Sequence, residues 1–227
     1  AVYAELRQLD RPPYFAPHDA HLLSRFDDVV SVATNPAMVR SLEGHESEAD
    51  AKERQRRANW HEMPYHERVV QFSLLDSDGD VHRRLRKRVF GDLTSRSLAV
   101  LEAGVRLYVV ELLDQLLQRG EIDFIADFAA HIPGHVIGQL LGCPAEDAPQ
   151  LRRWSEEVVQ YFDVDRPPEK KTLAETATRK FYHYLEDLKT ARTRQPKEDL
   201  ISKMLADERE GHYSPDEFIS TCMLLLM

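Results

Sequence analysis

His82 and Arg86 stand four residues apart in the stretch Asp78-Gly79-Asp80-Val81-His82-Arg83-Arg84-Leu85-Arg86-Lys87-Arg88. On a helix, that spacing puts both side chains on one face. Arginine offers a planar fork of donors suited to carboxylate or phosphate, and histidine adds one directed donor. Together they would clamp an anion from two sides. Arg83 and Lys87 mark a neighbouring face, and Arg84 and Arg88 extend the basic run. The acidic residues come first, where they favour the positive start of a helix. Spacing alone leaves a second reading open, a solvated basic face balanced by acidic residues elsewhere.

Other chemistry-bearing residues are sparse. Cys143 and Cys222 are the two cysteines. They have no metal-ligand spacing and cannot build a disulfide framework, so both read as packed small hydrophobes. His45, His61 and His66 lie near one another in sequence, but their spacing fits no helical metal pair, and they read as surface residues.

The elements that would position the basic stretch follow from punctuation and periodicity. Ala4–Leu9 reads as a short helix stopped by Arg11-Pro12-Pro13. Tyr14–Phe15 and His21–Phe26 read as two short strands around Pro17-His18-Asp19-Ala20. Asp27–Ala33 reads as a helix. Residues 43–57 are polar and charged, either a solvated helix or a mobile loop. From Ser95 onward the chain reads as mostly helix. Leu98, Leu101, Val105, Val109, Leu112 and Leu116 keep one face apolar, and Gly120 suits the end. Ile132, Val136 and Leu140 line a second helix, ended by Gly142 and Pro144. A third runs over 147–162, and a fourth over 169–194 with Leu173, Ala177, Phe181, Tyr184 and Leu188 on one face. A shorter helix covers 197–210.

The last helix has the sharpest start. Ser214 suits the N-cap, Pro215 the first helical position, and Glu217 completes a capping box. Phe218, Ile219 and the run from Met223 to Met227 then make it apolar on all sides, the pattern of a buried central helix. No closing signal follows, so we expect an incomplete chain.

The composition sets outer bounds. The chain has 227 residues, 42% apolar and 30% charged, enough for one sizeable core or two small ones. Its longest apolar run is too short to span a bilayer, and its start has no signal-peptide pattern. A reducing cytoplasm is the expected location. A net charge of −9 argues against nucleic acid as a partner.

In order and spacing, the segments resemble bacterial-type cytochromes P450. The stretch around His82 and Arg86 resembles the family's C-helix signature, with Asp78-Gly79-Asp80 where the family often has prolines. Ala4-Glu5-Leu6-Arg7 looks like the first helix, and His21–Val29 like the strand running into the second. Glu121–Ala129, Leu140–Asp147 and Asp199–Leu205 look like the segments before the E helix, at the E–F junction and before the I helix. The final helix looks like the first part of the I helix.

The resemblance implies a mainly α fold with a small β-sheet near the N-terminus, a partial cytochrome P450 fold. Residues 1–227 would be the N-terminal portion of one domain: a β-rich and substrate-loop region over 1–75, and a helical region over 76–227. It implies heme b in the complete protein, with His82 and Arg86 binding its propionates. It implies a monooxygenase that inserts one oxygen atom from O2 into a lipophilic small molecule, fed electrons by a ferredoxin-type or flavin-containing reductase docked on Arg83, Arg84, Lys87 and Arg88. Val70, Phe72, Leu74, Leu75, Val158, Phe162, Leu224 and Met227 would line the substrate pocket, the alternative for each being an ordinary core role. The catalytic threonine region and the axial cysteine are absent from these residues, so neither a catalytic residue nor a metal ligand is expected here, and the chain should be inactive alone. A haem-free helical module that binds a ligand or partner is the alternative.

Overall fold

A computed structural model describes residues 2–42, 44–94, 98–163 and 166–227. The chain divides into two compact units, Ala1–Leu42 and Glu43–Met227. The expected helix start at Ser95 lies outside the described residues.

The first unit holds α1 (Val2–Leu6), β1 (Tyr14–Phe15), β2 (Ala20–His21) and α2 (Phe26–Thr34). The strands pair antiparallel, with Tyr14 opposite His21 and Phe15 opposite Ala20. Asp19 closes the turn in the left-handed region at φ 49°, and the Tyr14 hydroxyl donates to Asp19 Oδ1 at 2.7 Å. The second strand is shorter than the expected His21–Phe26. Its partner is preceded by Pro12 and Pro13, which have no N–H to extend a ladder; beyond the pair, Leu22 N–H reaches back to Pro13 O at 2.9 Å. Phe26 instead opens α2.

The second unit is helical: α3 (Glu48–Arg57), α4 (Pro64–Gln71), α5 (Gly79–Asp92), α6 (Glu102–Leu117), α7 (His131–Leu141), α8 (Ala148–Val159), α9 (Pro168–Arg194), α10 (Leu200–Arg209) and α11 (Pro215–Leu226). The charged segment resolves as the solvated helix α3, capped by Ser47. Gly142, at φ 90°, ends α7.

The capping box on α11 forms in full: Ser214 Oγ accepts from Glu217 N–H, and Glu217 accepts from Ser214 N–H. Phe218, Ile219, Cys222 and Met223 are buried, with α4, α7, α8, α9 and α10 packed around this helix. An all-round apolar helix has become the centre of the core, as its pattern requires. On α9, Ala177, Phe181 and Leu188 are buried as expected, but Leu173 is 39% exposed. The buried face also takes in Ala174, Thr178, Tyr182 and Leu185, because α9 presents that side to α4, α8 and α11. Among the described residues, no helix is long and apolar enough to cross a membrane.

Candidate functional site

The basic stretch forms α5, beginning at Gly79 with φ +58°. Leu85 and Val89 bury its inner side. Its charges then divide by direction. Arg84 donates to both carboxylate oxygens of Glu217, at 3.0 and 2.6 Å, and to His212 O at 2.6 Å. Arg88 donates to Asp207 Oδ1 at 3.0 Å. Arg83 pairs with Asp80 one turn back. Burial opposes charge on Glu217, but the hydrogen bonds from Arg84 and Ser214 N–H outweigh it and hold the carboxyl below its ordinary range.

His82 and Arg86 behave differently. Neither side chain has a carboxylate partner among the described residues, and the Arg86 guanidinium lies over the Phe90 ring at 4.4 Å. His82 is half-buried and Arg86 exposed. Arg86 is thus oriented by an aromatic face while its donors remain uncommitted. This pair fits a carboxylate-bearing cofactor edge: two donors, one helical face, and among the described residues no acid bonded to either. Lys87 is likewise exposed and has no carboxylate partner among the described residues.

The eight expected pocket residues differ in burial. Leu74, Val158 and Leu224 belong to a single apolar cluster. Val70 and Phe72 are half-buried. Leu75 is 56% exposed, and Met227 also faces solvent. Phe162 packs against Trp60 and His66 at ring separations of 6.0 and 5.3 Å.

His66 corrects an expectation. It is 1% exposed, not a surface residue. Burial, together with the nearby Arg166 cation, lowers its pKa to about 4. It sits in the first turn of α4, whose N-cap position, Met63, has no capping side chain. Glu175 of α9 supplies the cap, accepting from Tyr65 N–H at 3.1 Å and His66 N–H at 3.0 Å. A sequence signal existed: His66 stands three and four residues before Val69 and Val70, on their helical face. His45 is exposed and His61 half-buried.

Both cysteines are free thiols. Cys222 is fully buried, and burial pushes the Cys143 thiol up to about 11, so neither is a ready thiolate. Asp207, Glu210 and His212 hold their ligand atoms within 4.8 Å of one another, but Asp207 already serves Arg88.

No family model matches the chain. A cytochrome P450 of Bacillus subtilis (strain 168) is 30% identical over 207 residues, 91% of this chain and 48% of its own length. The mycinamicin IV hydroxylase/epoxidase of Micromonospora griseorubida is 29% identical over 232 residues, 99% of this chain and 53% of its own. Among solved structures, the myxobacterial cytochrome P450 CYP267B1 in complex with myristic acid superposes with a TM-score of 0.80 at 30% identity, covering 99% of this chain and 55% of that one. CalO2 gives 0.81 at 26% identity, covering 99% and 54%. The chain spans about half the length of the curated relatives it matches.

Proposed function

This chain is a homologue of the bacterial cytochromes P450, matching them along nearly its whole length and about half of theirs, and we propose that it forms part of a haem-dependent monooxygenase acting on a lipophilic small molecule. Haem supplies the oxygen activation. The chain supplies the cofactor's anion clamp, part of the apolar surroundings and the basic face presented to a reductase.

The observation that supports this reading most is the division of charge on α5. Arg84 and Arg88 are spent on Glu217 and Asp207, whereas His82 and Arg86, on one face, have no carboxylate partner among the described residues. Those two hold the propionates: Arg86 as a forked donor steered by Phe90, His82 as a single donor one turn earlier. Leu74, Val158 and Leu224 contribute part of the apolar surroundings. Arg83 and Lys87, exposed on the adjoining face, steer an acidic ferredoxin-type or flavin-containing partner by their local field.

The test is a visible spectrum of the full-length protein, reduced under carbon monoxide. A haem-thiolate band that diminishes in the Arg86→Ala and His82→Ala variants is expected. Absence of any haem band from the unaltered protein would overturn the reading and favour a haem-free binding module.

A further inference from the structure

Tyr65, His183 and Glu186 are joined in series by two side-chain hydrogen bonds. Glu186 Oε2 lies 3.0 Å from His183 Nδ1, and Tyr65 Oη lies 3.1 Å from His183 Nε2. A carboxylate only accepts, so in the neutral ring Nδ1 carries the proton and donates to Glu186. Nε2 is then the bare nitrogen, and the Tyr65 hydroxyl donates to it. An acid that orients an imidazole, which in turn receives a hydroxyl proton, is the arrangement that makes a hydroxyl nucleophilic.

Two helices build this series. His183 and Glu186 stand three apart on α9 and share a face. Tyr65 is in the first turn of α4, which packs against α9. Glu175, about two turns before His183, fixes that turn by accepting from Tyr65 N–H at 3.1 Å. The Tyr65 ring meets Tyr182 and His183 edge to face, with centres 5.6 and 5.3 Å apart. The neighbouring phenol differs. Tyr182 is buried and donates to Asp216 Oδ1 at 3.1 Å; burial and that hydrogen bond push its pKa up to about 12. The Tyr65 series is open to solvent instead, with the His183 and Glu186 side chains 53% and 48% exposed.

Exposed polar pairs add little to stability, and none of these three residues takes part in the proposed haem site. We propose that Tyr65 is an acylation site, taking an acyl group from an activated ester, with His183 as its general base and Glu186 as the positioning residue. The Tyr65 oxygen bonds to the acyl carbon while its proton passes to His183 Nε2. The bond from that carbon to the leaving oxygen breaks, and the leaving group departs as an alkoxide or phenolate with the bonding pair. The Glu186 carboxylate faces the imidazolium so formed, which then gives its proton to solvent. The step is a group transfer without oxidation or reduction, and the ester is its one co-reactant.

The test treats the full chain with p-nitrophenyl acetate near neutral pH and follows acetylation of each tyrosine by peptide mass spectrometry over time. Tyr3 is the reference, because at 72% exposure it is the more accessible phenol. Tyr65 should acetylate about tenfold faster than Tyr3, less than an enclosed general base gives because this site is solvated. His183→Gln should bring Tyr65 down to the Tyr3 rate or below it. Glu186→Gln should lower the rate in part, and Glu186→Asp should recover some of that loss, since the carboxylate returns. Acetylation of Tyr65 no faster than that of Tyr3 would overturn the proposal, as would an unchanged Tyr65 rate in His183→Gln. The comparison of two tyrosines on the unaltered protein needs no variant to fold. A chain that shows no haem band but still acetylates at Tyr65 keeps this inference while the monooxygenase reading fails.

Discussion

Arg84 and Glu217 join the helix that bears His82 and Arg86 to the buried central helix through two hydrogen bonds of 2.6 and 3.0 Å. Glu217 also closes the capping box of α11. One carboxylate therefore both starts the central helix and fastens the basic helix to it, so the placement of the proposed clamp depends on a residue that never touches its anion.

Removing that carboxylate's charge should loosen both helices. Breaking a buried pair costs about 3–5 kcal/mol, and the exposure of Arg84 brings the expectation nearer ~2 kcal/mol. Glu217→Ala should lower the urea midpoint accordingly and lower haem retention as well. An unchanged midpoint would show that the ion pair does not hold α5. The sign with pH follows from a depressed carboxyl: the stabilisation is present above the ordinary value of 4.5 and disappears as pH falls through the lower folded value.

His66 predicts a second pH dependence at higher pH. Its folded pKa is about 4 against an ordinary 6.5. Between those values the unfolded chain binds the extra proton, so stability falls as the solution is acidified from 6.5 towards 4, by about 3 kcal/mol at most. His66→Asn should flatten the stability profile over that window while leaving the acid limb below 4.5. A profile identical to that of the unaltered protein would contradict neutral burial of this ring.

Arg86→Ala should weaken haem retention in the full-length protein by about 1.5–3 kcal/mol, the range for a hydrogen bond to a charged group. Arg86→Lys should recover part of the loss, since the charge returns without the fork. Retention unaffected by either change, measured by haem transfer to an acceptor protein, would remove Arg86 from the clamp.

The four basic residues flanking the clamp should separate into two behaviours. Arg83→Glu with Lys87→Glu should raise the reductase's apparent KM and flatten its salt dependence, at little cost in stability, since both side chains are exposed. Arg88→Glu should act mainly on stability, because it sets two carboxylates against each other at Asp207. Equal effects of both changes on the KM, with equal thermal midpoints, would refute this division.

Local signals carried much of this protein. Ser214, Pro215 and Glu217 determine the start of α11, because a capping box is satisfied within four residues. The His82–Arg86 pairing is likewise set by helical spacing alone, and the order of segments carried the resemblance that the comparisons bear out. What lay beyond the sequence depends on partners far along the chain. Arg83, Arg84, Lys87 and Arg88 read as one basic patch. Only the approach of α10 and α11, more than a hundred residues later, turns Arg84 and Arg88 inward to Asp207 and Glu217. Leu173 reads as part of the α9 stripe, yet packing leaves it exposed and buries Ala174 and Thr178 beside Ala177 and Phe181. His66 looks like a surface histidine until Glu175 caps its helix from α9 and Tyr161, Trp60 and Phe162 surround its ring. Periodicity determines which side chains share a face. Whether that face meets solvent, an ion pair or a ring is decided by which distant helix closes over it, because burial and charge pairing are properties of the assembled core.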